Sequence, residues 1–248
     1  MSKCLIVTGG GRGIGAEVSR KAAKQGYSVC VNFHRDQTSA QKLVRELEKE
    51  GANALAYQAD VSQEEEVEAL FETVEKDLGT PEALVNNAGI LDLQTRVDGM
   101  NAERIQRIFA VNVTGSFLCA REAVKRMSTK YGGKGGSIVN LSSGAAKYGS
   151  PGEYVDYAAS KAAIDTLTIG LAKEVAEEGI RVNAVRPGFI DTEIHQSGGE
   201  PDRMERVRPL VPMKRVGQAD EVADAIMWLL SDKASYTTGT ILDVSGGR

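Results

Sequence analysis

Apolar residues along this chain follow two alternating patterns. Short unbroken runs such as Leu5-Ile6-Val7 and Val29-Cys30-Val31 are bounded by glycine or polar clusters, which predicts strands buried on both faces. Longer segments between them repeat apolar residues every three or four positions with charges opposite, the mark of helices lying on a core. In order, the runs predict strands over residues 3–8, 28–33, 54–58, 83–86, 137–141, 181–186 and 240–244. Helices are expected over 14–25, 38–50, 67–78, 102–127, 154–178 and 219–230. Gly26, Gly51 and Gly79 stand where the first three helices should stop.

Strand and helix alternate without a break, so residues 1–248 are expected to form one domain. Repeated strand–helix–strand crossovers give a Rossmann-type α/β fold: three layers, doubly wound about a seven-stranded, mostly parallel sheet. Ligands of such sheets bind outside the carboxyl ends of the strands. The longest irregular stretch, from Pro187 to Gln218, holds four of the six prolines. So long a loop in a compact domain is usually functional, and residues 188–218 are read as a substrate lid containing His195.

Composition narrows the functions open to such a fold. A net charge of −4 with dispersed basic residues gives no electrostatic footprint for nucleic acid. No run approaches the length of a membrane span, and residues 1–8 lead straight into a strand, so a soluble cytoplasmic protein is expected. Three widely spaced cysteines in apolar contexts suit reduced thiols rather than disulfides or zinc ligands. The two histidines, His34 and His195, fit neither a metal-ligand spacing nor a nucleophile triad, and no metal is expected.

The segment 8–15, TGGGRGIG, follows a predicted strand and opens a predicted helix. Glycines there let backbone approach a pyrophosphate, while free N–H groups and the helix dipole favour its charge. The spacing of Gly9, Gly13 and Gly15 departs from G-x-G-x-x-G, and a glycine-rich turn can also serve packing alone.

Together with this loop, five further motifs in order make the chain resemble the short-chain dehydrogenase/reductase family. They are the NNAG of residues 86–89, Asn112 in NVTG, Ser142-Ser143 after the fifth strand, Tyr157 and Lys161 as Y-x-x-x-K, and Pro187-Gly188 after the sixth. The match covers essentially the whole chain. Within the family it is similar to a bacterial branch of glucose-dehydrogenase-like and 3-oxoacyl-carrier-protein-reductase-like proteins.

The resemblance implies an oxidoreductase moving hydride between a nicotinamide cofactor and a carbonyl or alcohol, with Asn112, Ser143, Tyr157 and Lys161 as its catalytic residues. Tyr157 and Lys161, four apart on a helix, share one face. A phenol needs its pKa lowered by ~3 units to serve near neutral pH, which two nearby positive charges in a dry site can supply. Ser143 would orient the substrate oxygen. It lies fourteen positions before Tyr157, one more than is usual in the family, so the loop around Ser150-Pro151-Gly152 is one residue longer and Ser142 competes for the role. Each residue alone also has a plainer reading, a half-buried aromatic, a solvated lysine tip or serines capping a turn.

Expected cofactor contacts are Gly9, Gly11, Arg12, Gly13, Ile14, Gly15, Asn32, Arg35, Asp60, Val61, Asn87, Ala88, Gly89, Tyr157, Lys161, Pro187, Gly188, Ile190 and Thr192. The tip of the second strand carries His34 and Arg35 rather than a carboxylate. Arg12 and Arg35 can therefore clasp a 2′-phosphate, favouring NADP(H) over NAD(H). In the competing reading Asp36 holds the ribose hydroxyl of NAD. The family also implies a homotetramer built on the two long helices and the last strand, and the alternative to an enzyme is a non-catalytic NADP(H) sensor or scaffold.

Overall fold

The structure is a computed structural model that describes residues 3–192 and 203–248. Seven strands, β1 (Cys4–Val7), β2 (Ser28–Phe33), β3 (Ala54–Gln58), β4 (Pro81–Asn86), β5 (Gly136–Leu141), β6 (Ile180–Pro187) and β7 (Ile241–Val244), form one sheet in the order β3-β2-β1-β4-β5-β6-β7. Every neighbouring pair is parallel. The expectation of a mostly parallel sheet is thus tightened to an entirely parallel one, because each connection between successive strands carries helix and none is a hairpin.

Alternation along each strand divides the core into two layers. Leu5, Val7, Val31, Val85 and Val139 face α1 (Gly13–Lys24), α2 (Gln37–Lys49) and a late helix, Ala219–Leu230. Ile6, Cys30, Leu84, Ile138 and Val182 face α3 (Glu64–Asp77) and the helices Gly115–Met127 and Val155–Val175 on the other side. Apolar side chains on both faces explain why the strands read as unbroken apolar runs. This is a single-domain, three-layer Rossmann-type α/β fold. Among the described residues, no helix is long and apolar enough to cross a membrane.

Three segments depart from expectation. The helix expected over 102–127 is divided into α4 (Ala102–Phe109) and α5 (Gly115–Met127) by a wide π-type turn over Ala110–Thr114. Such turns re-aim side chains in mid-helix, and this one carries Asn112. A short helix not foreseen, α6 (Ala145–Tyr148), follows β5, ahead of the long α7 (Val155–Val175). The stretch expected as a wholly irregular lid also contains a helix, α8 (Arg203–Val207), before α9 (Ala219–Leu230). Phe189, Val207 and Val211 form a small core of their own there, with Met204 and Val216 packed against it. His195 lies outside the described residues.

Candidate active site

The strand order reverses between β1 and β4, and their carboxyl ends open the crevice that sheets of this type use for ligands. Beyond β1 the chain enters the glycine loop. Gly9 and Gly13 take the left-handed conformation, at φ +58° and +51°. A methyl group on Gly15 would stand 2.6 Å from the Gly9 carbonyl oxygen, so this contact between loop and helix requires glycine. α1 then starts at Gly13 with no side-chain cap and no acidic residue in its first turn. Its unused N–H groups and positive dipole end suit a phosphate, so these residues fit a dinucleotide.

The loop is held from beneath. Thr8 Oγ1 accepts bonds from the backbone N–H groups of Asn87 and Ala88, each at 3.0 Å, and Asn87 Nδ2 donates to the carbonyls of Thr8 and Gly9, each at 2.9 Å. Asn32, expected at the nucleotide itself, is buried under the loop. Its amide donates to Ala59 O at 3.0 Å and its carbonyl oxygen accepts from Gly9 N at 3.3 Å, so it positions the loop. Thr8 was missed by sequence reasoning, although its place just before the glycine turn was the available signal.

Around the adenosine end, Arg12 and Arg35 are both exposed. Asp36 caps α2, accepting from Ser39 N at 3.0 Å, and that bond, with Arg12 nearby, holds its carboxyl below the usual range. Asp60 closes a turn on Ser62, while Val61 is buried close under Gly115 at the start of α5. Arg35, Asp60 and Val61, like Gly9, Gly15, Asn32 and Ala88, line neither of two grooves at this end of the sheet. The first of these joins Ile14, Asn87, Gly89, Pro187, Gly188, Ile190 and Thr192 to Ser143, Tyr157 and Lys161. The second joins Gly11, Arg12 and Gly13 to Thr192, Ser39 and Lys42.

The chemistry-bearing side chains converge at the end of β5. Lys161, buried on α7, donates from Nζ to Leu141 O at 2.6 Å and lies 5.7 Å from the centre of the Tyr157 ring. A methyl group on Gly89 would reach 3.4 Å from that Nζ and 3.5 Å from Asn112 Oδ1, so the bare glycine leaves open the space both groups face. Asn112 is fixed by Ile90 N donating to Oδ1 at 2.8 Å and by its own Nδ2 donating to Ile90 O and Ser160 Oγ, each at 3.1 Å.

The two serines separate by partner. Ser143 lines the pocket with Tyr157 and accepts from Ala145 N at 3.1 Å, whereas Ser142 is buried and donates to the Lys161 carbonyl at 3.2 Å. The longer loop is taken up in a tight turn where Gly149, Ser150 and Gly152 all have positive φ, leaving Ser143 beside the tyrosine. Beyond these, the pocket wall contains residues that sequence reading did not single out: Tyr148, Tyr154, Phe189 and Arg203. The Arg203 guanidinium stacks 4.9 Å from the Tyr154 ring centre and bonds Glu153 at 2.8 Å. No local motif marks them, because they come from four separate stretches of the chain.

Burial dominates the electrostatics of the bare protein. It pushes the Tyr157 hydroxyl up to about 12, against the opposing effect of the Ser143 hydrogen bond, and pushes the Lys161 amine down to about 8. The acidified phenol, expected from the lysine together with an oxidised nicotinamide, is not a property of the bare protein, where desolvation outweighs the opposing effects on the hydroxyl.

The full chain was compared with known proteins. A family model described as enoyl-(acyl carrier protein) reductase matches residues 9–248. The chain belongs to the short-chain dehydrogenase/reductase family. It is 57% identical over 98% of its length, and 98% of the relative's, to an uncharacterized oxidoreductase, YgfF, of Escherichia coli. It is 41% identical to 3beta-hydroxysteroid dehydrogenase 1 of Eggerthella lenta, covering 99% of this chain and 93% of that one. With glucose 1-dehydrogenase 2 of Bacillus subtilis the identity is 37% over 99% and 94%. Membership makes the protein an oxidoreductase that acts on CH–OH or C=O groups with a nicotinamide cofactor.

The buried lysine has a measurable cost. A lysine whose folded-state pKa is depressed contributes least to stability below that pKa, and the penalty is relieved as pH rises from about 8 through the unfolded value. Lys161→Met should therefore raise unfolding free energy at pH 7 by about 1–3 kcal/mol, the upper figure being the pKa difference and the lower allowing for the lost bond to Leu141. The gain should shrink between about pH 8 and 10.5, as urea titrations across that range would record.

Proposed function

We propose that this protein is an NADP(H)-dependent reductase or dehydrogenase that moves hydride between the nicotinamide and a carbonyl or secondary alcohol of a small-molecule substrate. The observation that carries the reading is the meeting of Ser143, Tyr157 and Lys161 in one pocket at the carboxyl end of β5, adjoining the glycine loop's crevice. Gly9, Gly11, Gly13, Ile14 and Gly15 would hold the pyrophosphate. Asn87, Ala88 and Gly89 would pass the ribose, and Pro187, Gly188, Ile190 and Thr192 would grip the carboxamide side. When bound, the nicotinamide gives or takes hydride, and its oxidised ring brings the second positive charge the phenol needs.

The protein's own groups divide the remaining work. Tyr157 donates the proton to the substrate oxygen in reduction and takes it back in oxidation. Ser143, lining the pocket with that hydroxyl, steadies the same oxygen as charge builds on it. Lys161 supplies positive charge beside the phenol, and Asn112, fixed against Ile90 and Ser160, keeps open a route for proton exchange at the lysine. Tyr157→Phe should lower kcat by at least about a thousandfold, within the combined reach of general acid catalysis and oxyanion support, while NADPH titrations stay unchanged. Retained turnover of ketones by that variant would show the acid to be misassigned.

NADP(H) preference is supported by two exposed arginines, Arg12 and Arg35, and by the commitment of Asp36 to its helix cap. Exchanging both arginines for alanine should weaken NADPH binding by roughly tenfold to a hundredfold and leave NADH nearly untouched, as each exposed charge-assisted contact contributes about 1 kcal/mol. Equal loss for both cofactors in calorimetric titrations refutes the clasp.

A homotetramer is supported by half-exposed apolar side chains on the long helices, Ile105 on α4, Phe117 on α5 and Ile169 on α7, together with Trp228 on α9. Sedimentation velocity at micromolar protein should give a four-chain species, and a monomer rules it out.

A further inference from the structure

Lys161 is a buried cation that makes no direct ion pair among the described residues; its Nζ spends one bond on the neutral Leu141 carbonyl. A lone ammonium in such a place tends to give up its proton. One turn further along α7 lies Asp165, itself only 7% exposed. Its bonding is lopsided. Oδ2 accepts both bonds from Arg186 of β6, Nε at 3.1 Å and Nη2 at 2.7 Å, and Oδ1 has no hydrogen-bond partner among the described residues.

A bare carboxylate oxygen in a protein interior is costly, and an ion pair serving only to join α7 to β6 would engage both oxygens or be replaced by apolar packing at little loss. Residues four apart on a helix are neighbours, so the incompletely compensated negative charge sits beside Lys161. We propose that Asp165 is a positioning residue for the reaction: its carboxylate keeps the Lys161 amine protonated, and Arg186 holds that carboxylate in place. The proposal rests on the reading of Lys161 as the working cation.

The other groups around the lysine leave Asp165 as its counter-charge. From α7 itself come Tyr157, neutral in the bare protein, and Asp165; from the π-type turn the uncharged Asn112; from β5 and the loop after it Leu141 O, Ser142 and Ser143; from the loop after β4 the backbone at Gly89. Asp165 is the group that raises the lysine against its burial, and Arg186 is the cation bonded to that carboxylate. The same string continues outward, since Arg186 Nη1 lies 3.8 Å from Asp243, which Lys147 bonds at 3.0 Å from the surface. Arg186 is thereby held between two carboxylates, which limits its repulsion of Lys161.

Competitive acetylation of Lys161 in the nucleotide-free protein, read by peptide mass spectrometry across roughly pH 5 to 10, gives the lysine's protonation midpoint directly. In Asp165→Asn the midpoint should fall by about one unit, a tenfold loss of proton affinity, and the alkaline limb of kcat/KM should move down with it. Asp165→Asn combined with Arg186→Met avoids stranding a buried guanidinium and guards against a variant that fails to fold. Its midpoint should also lie below that of the unaltered protein. A midpoint that stays in place in either folded variant overturns the proposal and leaves the reaction reading untouched. Full turnover by Lys161→Met would instead sink the reaction reading, with the labelling result still readable on its own.

Discussion

A lysine amine held away from water at the end of β5 is the constraint around which the rest of the site is arranged. Its position requires the Leu141 carbonyl to be open to a donor at the strand end and α7 packed close enough to deliver it, while the glycine at position 89 leaves open space before it. The interior resists the charge, as the lowered lysine and raised tyrosine both register. Function here is built against stability, and the site's polar neighbours offset that cost rather than remove it.

The two halves of the crevice are made in different ways. Toward the nucleotide, contact is offered mainly by backbone: positive-φ glycines, an uncapped helix start and a floor of Thr8, Asn32 and Asn87 that fixes the loop. Toward the substrate, contact is offered by side chains, Tyr148, Tyr154, Phe189 and Arg203, drawn from α6, the turn before α7, the stretch after β6 and α8. A backbone site tolerates little variation, whereas a wall of side chains on separate elements changes piece by piece. Relatives named for a steroid and for a sugar, matching nearly the whole chain, fit that division.

Much of this was legible in the chain itself. The strand positions followed from unbroken apolar runs, since a sheet covered on both faces has no polar side to show, and four of the six motifs fell at strand ends as a doubly wound sheet requires, the other two lying on helical segments beside them. The Tyr157–Lys161 pair was legible because helical periodicity brings residues four apart onto one face. The break at Ala110–Thr114 was not, because a π-type turn keeps apolar periodicity nearly intact while adding one residue to a turn. Asn32 was placed at the nucleotide because strand-end position was the available cue, and its side chain's many carbonyl partners exist only once β3 and the glycine loop are packed beside it.

What the amino-acid order determined unaided was local or periodic: alternating elements, a phosphate-ready helix start, and the residue types able to carry the chemistry. What only the folded chain decided was everything set by distance between remote segments. That includes which serine meets Tyr157, the sign of the burial effects on Tyr157 and Lys161, and the lopsided carboxylate of Asp165 facing Arg186 from another element. The reason is physical: desolvation and Coulomb energy depend on what surrounds a group in space, and surroundings assembled from distant stretches leave no periodic trace in the chain.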